Sequence, residues 1–202
     1  SLAGNKARVI LLNKADLAED RRNDEWMEYF KKQGYSVVKV NSKKGGGIKS
    51  IQSVIQEACK EKMERDRKRG ILNRPVRAMV VGIPNVGKST FINALAGKAC
   101  AKTGNKPGVT KGKQWIRLNK NVELLDTPGI LWPKFEDQTV GLRLAFIGSI
   151  KDEILQTEEL ASELVKFLNQ SYPGVLEEKY TIESSEDNYE VLRRIAESRH
   201  CL

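Results

Sequence analysis

One histidine, His200, serves the whole 202-residue chain, and its three cysteines, Cys59, Cys100 and Cys201, are odd in number and form no Cys-x-x-Cys pair. The first scarcity argues against a histidine-based metal centre or catalytic triad. The second argues against a disulfide frame or a zinc site, so the thiols read as reduced cysteines and the expected compartment is the cytoplasm. No run approaches the roughly 18 apolar residues that cross a bilayer, and no signal-peptide pattern opens the chain at Ser1. A membrane is therefore not an expected partner. Neither an internal repeat nor a low-complexity tract is present. The remainder is 40% apolar, enough for a core, at a length that fits one domain or one domain with an appendage.

The strongest pattern lies in residues 76–90. A short apolar run at 78–81 leads into Gly82-x-x-x-x-Gly87-Lys88-Ser89, and then into the helical pattern Phe91-Ile-Asn-Ala-Leu-Ala96. That is strand, phosphate loop, helix. Glycines let the backbone turn tightly, so that successive N–H groups face one oxyanion cluster at a helix N-terminus. Pro84, Asn85, Val86, Gly87, Lys88, Ser89 and Thr90 then line the phosphates. Lys88 can reach the β- and γ-phosphates, and the Ser89 hydroxyl can ligate Mg²⁺. A nucleoside triphosphate is the expected ligand.

Upstream, residues 8–12 form a continuous apolar run, as in a strand buried on both faces of a parallel sheet. Residues 20–33 read as a helix with Trp26, Tyr29 and Phe30 on one face and Gly34 as its stop. A second strand at 35–40 ends in Asn41-Ser42-Lys43 and a Gly45-Gly46-Gly47 loop. From Ile48 the apolar positions Ile51, Val54, Ile55, Ala58 and Cys59 keep helical spacing. This β-α-β-α rhythm predicts an α/β fold with a doubly wound, mostly parallel sheet. The charged stretch at 60–70 with Asn73-Arg74-Pro75 reads as a linker, as an RNA-facing arm or as a solvated helix end. Beyond the phosphate loop, 98–113 is polar and irregular, and 114–118 and 122–125 are strands joined by a tight Asn119-Lys120-Asn121 turn. From about Gln138 only helical patterns remain, at 138–150, 157–169 and 188–199, with a break at Tyr172-Pro173-Gly174.

Two further motifs sit where strands end, the place where open α/β sheets bind ligands. Asn13-Lys-Ala-Asp16 carries an Asp whose carboxylate can accept from guanine N1–H and N2–H₂ together; adenine has no such donor pair, so an unpaired Asp16 rejects ATP. Asn13 can hold the phosphate loop and meet the N7 edge, and the Lys14 stem can cover the base. Asn41 and Ser42 fall where a backbone N–H meets guanine O6. Asp126 can hold the Mg²⁺ shell through water, the Gly129 N–H can meet the γ-phosphate, and Thr110 can add a Mg²⁺ ligand when GTP is bound. These readings make GTP or GDP the expected nucleotide, against a P-loop kinase or ATPase.

The order of these motifs is unusual, with the base-reading pair ahead of the phosphate loop. In this the chain resembles a circularly permuted GTPase. More narrowly, Gly82-Ile-Pro-Asn-Val-Gly-Lys-Ser-Thr90, Pro107-Gly-Val-Thr-Lys111 and Asp126-Thr-Pro-Gly-Ile-Leu-Trp-Pro-Lys134 resemble the ribosome biogenesis GTPase A (YlqF/RbgA) family. The resemblance covers essentially the whole chain. It implies a bacterial factor that binds the large ribosomal subunit late in assembly, with a helical C-terminal region on ribosomal RNA. It also implies a strand lying between the phosphate-loop strand and the 8–12 strand. No run before Ser1 supplies that strand and the family continues past Leu202, so flanking residues are expected at both ends. Ordinary regulatory GTPases carry a water-positioning Gln after Asp-x-x-Gly, where this chain has Ile130, so slow intrinsic hydrolysis is expected. Similar GTPases with Pro-Asn in the phosphate loop hold K⁺ through that Asn, here Asn85, which joins Lys88, Thr110 and Gly129 as a candidate for the chemistry.

Charge supports an RNA-bearing partner. The net charge is +9, but residues 1–136 hold 28 Lys/Arg against 13 Asp/Glu while residues 137–202 hold 7 against 13. A basic body attracts polyanions in a sequence-independent, salt-sensitive way. In the acidic C-terminal part only Arg193, Arg194 and Arg199 line up on a last helix as a basic contact. The expected organisation is a permuted GTPase domain over 1–136, with a base-reading half at 1–70 and a phosphate and Mg²⁺ half at 76–132, followed by a helical region over 137–202. The expected function is a GTP-hydrolysing assembly factor for the large ribosomal subunit, acting on its RNA and not on DNA, as a monomer. The alternative is a nucleotide-gated ribonucleoprotein-binding module whose hydrolysis is incidental.

Overall fold

The computed structural model describes residues 6–71, 74–101, 103–104, 112–132, 134–151 and 156–201. Two compact units divide the chain, Ser1–Leu131 and Trp132–Leu202. In the first, short β-branched and Leu-rich runs become strands, and each amphipathic stretch between them becomes a helix. The order is β1 (Val9–Asn13), α1 (Asp20–Lys32), β2 (Ser36–Val40), α2 (Ile48–Ala58), α3 (Lys60–Lys68), β3 (Val76–Val80), α4 (Lys88–Ala96), β4 (Gln114–Arg117) and β5 (Val122–Asp126). β1 and β2 run parallel, Val9 opposite Ser36 and Asn13 opposite Val40. β3 and β5 also run parallel, Val76 opposite Val122 and Val80 opposite Asp126, while the tight turn at 119–121 returns β4 antiparallel to β5.

The sheet stands in two pieces among the described residues, β1-β2 and β3-β5-β4. A single core nevertheless serves both, with Val40, Ile51 and Ile55 from the first half and Phe91, Ile92 and Leu124 from the second. Ile92 is fully buried, and each such side chain contributes about 1.5–3 kcal/mol of burial. Because one core spans both halves, the strand ends that carry the motifs are held on one structural unit.

Several local expectations change. β1 is half-buried along its length rather than buried on both faces. On α1 the only buried residue is Asn23, and Trp26 and Tyr29 point outward, 54% and 52% exposed. They flank the inward line of Asn23, Met27 and Phe30 and pack on Phe30, whose ring lies 5.6 Å from that of Trp26. β3 begins two residues earlier than its apolar run, because Val76 N–H donates to Asn121 O and extends the ladder. The charged stretch at 60–70 is a helix, α3, with no buried residue; it follows α2 through Cys59, whose carbonyl accepts from Met63 N–H.

Among the described residues the second unit is all helical: α5 (Gln138–Phe146), α6 (Thr157–Ser171), α7 (Val175–Tyr180) and α8 (Asn188–Ser198). Asp137 caps α5 by accepting from Thr139 N–H at 2.8 Å, and Asp187 caps α8 by accepting from Tyr189 N–H at 2.9 Å. α5 stops at Phe146, short of the expected 150, because Gly148 takes a positive φ of 67° and its N–H turns back to Ala145 O. The helix α7 was not foreseen from the pattern. The Pro-Gly pair that reads as a break also restarts a helix, with Gly174 at φ 83° as its cap. Val165, Leu176 and Val191 form the core of α6, α7 and α8.

Candidate nucleotide-binding site

The ends of β1, β2, β3 and β5 converge on one loop, residues 82–87. Two positive-φ residues shape it, Asn85 at 59° and Gly87 at 88°. Asn tolerates the left-handed region better than most side chains. Gly87 is required for a second reason, since a Cβ there would lie 2.5 Å from Asn13 Nδ2. Pro84 is buried, and Val86, Ser89 and Thr90 are half-buried.

The Asn13–Asp16 segment is fastened to this loop across more than 70 residues of sequence. Asn13 Nδ2 donates to Val86 O at 2.8 Å and to Gly87 O at 3.4 Å. Lys14 Nζ donates to Asn85 O at 2.7 Å, and Lys14 itself sits in the left-handed region at φ 54°. Ser42, 7% exposed, donates through Oγ to Asn13 Oδ1 at 2.8 Å. Asn41 closes its own loop, with N–H donating to Gly46 O and Oδ1 accepting from Lys44 N–H at 3.0 Å. Asp16 is exposed in the 3₁₀ turn Ala15–Leu17 that follows β1. So the structure brings Asn13, Lys14 and Ser42 against the loop and leaves the Asp16 carboxylate open to solvent.

On the phosphate side, Lys88 Nζ donates to Gly82 O at 2.9 Å and to Ile83 O at 2.8 Å. Burial pushes this ammonium below the usual lysine range, and the charge of Asp126 pulls it partly back. Such a cation is poised to gain a further anion. Ser89 Oγ donates to Asp126 Oδ2 at 3.0 Å. Asp126 is 1% exposed, and its other oxygen, Oδ1, is buried without a hydrogen-bond partner among the described residues. A buried carboxylate oxygen lacking a donor, beside a serine hydroxyl, is the donor set that a hard divalent cation takes. The residues present therefore fit Mg²⁺. The Gly129 backbone lies against the loop, where a Cβ would come within 2.6 Å of Pro84 N and Cα and 2.9 Å of Lys88 Nζ. Ile130 is 75% exposed just beyond it. Thr110, with the whole Pro107-Gly-Val-Thr-Lys111 motif, lies outside the described residues, and so does Pro133.

Three supporting residues escaped the sequence reading. Asn23 Nδ2 donates to Ala15 O at 2.9 Å and steadies the base-reading turn from α1; the available signal was a polar residue in phase with Met27 and Phe30. Asn93, on α4, accepts through Oδ1 from the N–H groups of Cys100 and Ala101, fixing the exit from the phosphate-loop helix. Thr127 Oγ1 donates to Val80 O at 2.7 Å. Elsewhere one expectation weakens. Arg193 and Arg194 both pair with Glu190, and Arg194 also donates to the carbonyls of Glu183 and Ser184, so two of the three arginines are engaged within their own unit, while Arg199 falls at the cap just past α8.

Comparison with known proteins places these features in context. Residues 77–194 match the model of a family described as 50S ribosome-binding GTPase. The chain is 50% identical over 198 residues to ribosome biogenesis GTPase A of Bacillus cereus, covering 98% of this chain and 67% of that protein. It is 48% identical to ribosome biogenesis GTPase A of Priestia megaterium, covering 98% and 69%. Among solved structures it resembles GNP-bound YlqF from T. maritima, with 30% identity, a TM-score of 0.62, and coverage of 96% of this chain and 67% of that one.

Proposed function

The chain belongs to the ribosome biogenesis GTPase A family, and from that premise we propose that it binds GTP and Mg²⁺, hydrolyses GTP to GDP and phosphate, and uses that cycle on the large ribosomal subunit during its assembly. The observation that carries the reading is the junction of Asn13 and Lys14 with the carbonyls of residues 85–87. It supports the reading because it ties the turn that carries Asp16, taken as the group that discriminates guanine, to the loop that leads into Lys88, taken as the group that meets phosphate. In this reading Asp16 accepts the two guanine donors, Asn41 and Ser42 frame the O6 edge, and Asn13 holds base-reading turn and phosphate loop as one piece. Pro84, Asn85, Val86, Gly87 and Thr90 surround the phosphates with backbone N–H groups.

Lys88 exchanges the Gly82 and Ile83 carbonyls for β- and γ-phosphate oxygens. Ser89, Thr110 and Asp126 would hold Mg²⁺. When bound, the metal neutralises charge that develops on the β- and γ-oxygens. Gly129 would meet the γ-phosphate through its N–H, and Asn85 would hold K⁺. The Ile130 side chain can neither donate nor accept a hydrogen bond, so the unaided chain turns over slowly, and its partner or K⁺ supplies the missing stabilisation. The basic first unit favours ribosomal RNA as the polyanion it meets, with a monomer in the cytoplasm as the working form. The organisation proposed is a permuted GTPase domain over 1–136 and a helical region over 137–202.

The exposed Ile130 also favours a second reading, a nucleotide-gated binding module whose hydrolysis is incidental to release by another factor. One experiment addresses both. GTP turnover of the chain is measured in K⁺ and in Na⁺ buffer, with purified large subunits, with small subunits and alone. Stimulation by the large subunit, absent with the small one, is expected, with a faster rate in K⁺. Tight GTP-dependent binding to the large subunit without any stimulation favours the gated module, and equal rates in K⁺ and Na⁺ remove the role given to Asn85.

A further inference from the structure

The turn 126–129 is docked at three points on the segment that runs from the end of β3 through the phosphate loop into α4, and only two of them belong to groups expected to meet the ligand. Asp126 engages Ser89 at 3.0 Å, and the Gly129 backbone rests against Pro84. Between them Thr127, 8% exposed, donates its hydroxyl to Val80 O at 2.7 Å. Val80 is the last residue of β3, opposite Asp126, and the loop carbonyls that hold Lys88 follow it within three residues. Two residues past the end of β5 stands Pro128, which has no N–H to lengthen the ladder. The Thr127 hydroxyl therefore supplies one more donor past the last paired residues, between the strand end that carries Asp126 and the glycine that follows.

We propose that Thr127 is a positioning residue for the γ-phosphate contact: its bond to Val80 O holds the Gly129 N–H at the phosphate loop, so that the chain distinguishes GTP from GDP. The proposal rests on the GTPase reading above. Thr127 touches no nucleotide, and acts through Gly129. Without the hydroxyl, Val80 O loses this donor and the turn between Asp126 and Gly129 loses its middle anchor. The loss falls on the ligand that bears a γ-phosphate, because GDP has none for Gly129 to meet. One neutral hydrogen bond corresponds to about threefold to tenfold in an equilibrium constant.

The test compares the 202-residue chain with Thr127→Val, which keeps the shape and removes the hydroxyl, and with Thr127→Ser, which keeps the hydroxyl. Affinities for GDP and for a non-hydrolysable GTP analogue are measured by fluorescence titration at saturating Mg²⁺. For T127V the expected result is a GDP affinity within about twofold of the original and an analogue affinity lower by about threefold to tenfold. T127S is expected to retain the original ratio. An unchanged ratio in T127V overturns the proposal, as does an equal loss for both nucleotides, which marks a purely structural role. Should T127V fail to fold, a lowered ratio in T127S, which still carries the donor, overturns it as well. Absence of guanine nucleotide binding by the unaltered chain would instead overturn the GTPase reading.

Discussion

Both ends of the Asn13 side chain are engaged by the protein, with the amide on Val86 O and Gly87 O and the oxygen on the Ser42 hydroxyl. A residue used in this way serves as a brace, whereas Asp16 is exposed and is the group proposed to meet a base. The two neighbours in one short motif thus have different tasks, and substitution separates them. Asp16→Asn replaces an exposed, charged side-chain acceptor and is expected to leave the fold intact. It is expected to weaken GTP binding by about tenfold to a hundredfold, the range for hydrogen bonds to a charged group, and to narrow the preference for GTP over ATP. Competition titrations with both nucleotides check this. Unchanged affinity and selectivity would mean that the motif is an ordinary turn.

Among the elements, α8 shows how a helix that reads as basic comes to be neutral. Glu190 accepts from Arg193 at 2.8 and 2.9 Å and from Arg194 at 3.0 Å. These bonds, Arg193 first, hold the Glu190 carboxyl below the ordinary glutamate range. A carboxylate whose pKa is lowered by folding contributes stability that is present above its unfolded value and lost as pH falls through the lowered one. Glu190→Gln is therefore expected to flatten the acid limb of the thermal stability profile below the ordinary glutamate range, while lowering stability at neutral pH. Melting curves taken across that range check the sign. α3 presents the opposite case. Its charged residues follow directly from α2 without a buried side chain, so helical continuity, and no core contact, is what orders them.

Taken as a whole, the molecule concentrates positive charge in the part that carries the nucleotide site. Lys62 and Arg65 of α3 and Arg69 at its C-terminal cap are exposed and recur at three- and four-residue spacing, which places them along one side of the helix and its end. If that side meets RNA phosphates, replacing all three by Gln lowers the slope of log affinity against log salt by up to about 3, with nucleotide binding unchanged. Filter binding of large-subunit RNA over a salt series checks the expectation; an unchanged slope assigns the charge to solubility alone.

Much of this was legible in the residue order. Gly82-x-x-x-x-Gly87-Lys88-Ser89 after an apolar run, and Asn13-Lys-Ala-Asp16 at a strand end, announce a parallel sheet and a guanine nucleotide, because strand ends and glycine turns impose their own spacing. The same local logic placed α1, α2, α4, α6 and α8. What it could not supply was any bond between distant segments. That Asn13 and Lys14 grip the carbonyls of 85–87, that Ser89 faces Asp126, that Thr127 reaches Val80, and that Arg193 and Arg194 are taken by Glu190 all depend on side chains brought together by the core. Local preference also failed at α7, where Pro173 and Gly174 stop one helix and start another, and at β1 and α1, whose apolar residues stay partly exposed. Burial is a property of neighbours in space, and only the folded chain decides who they are.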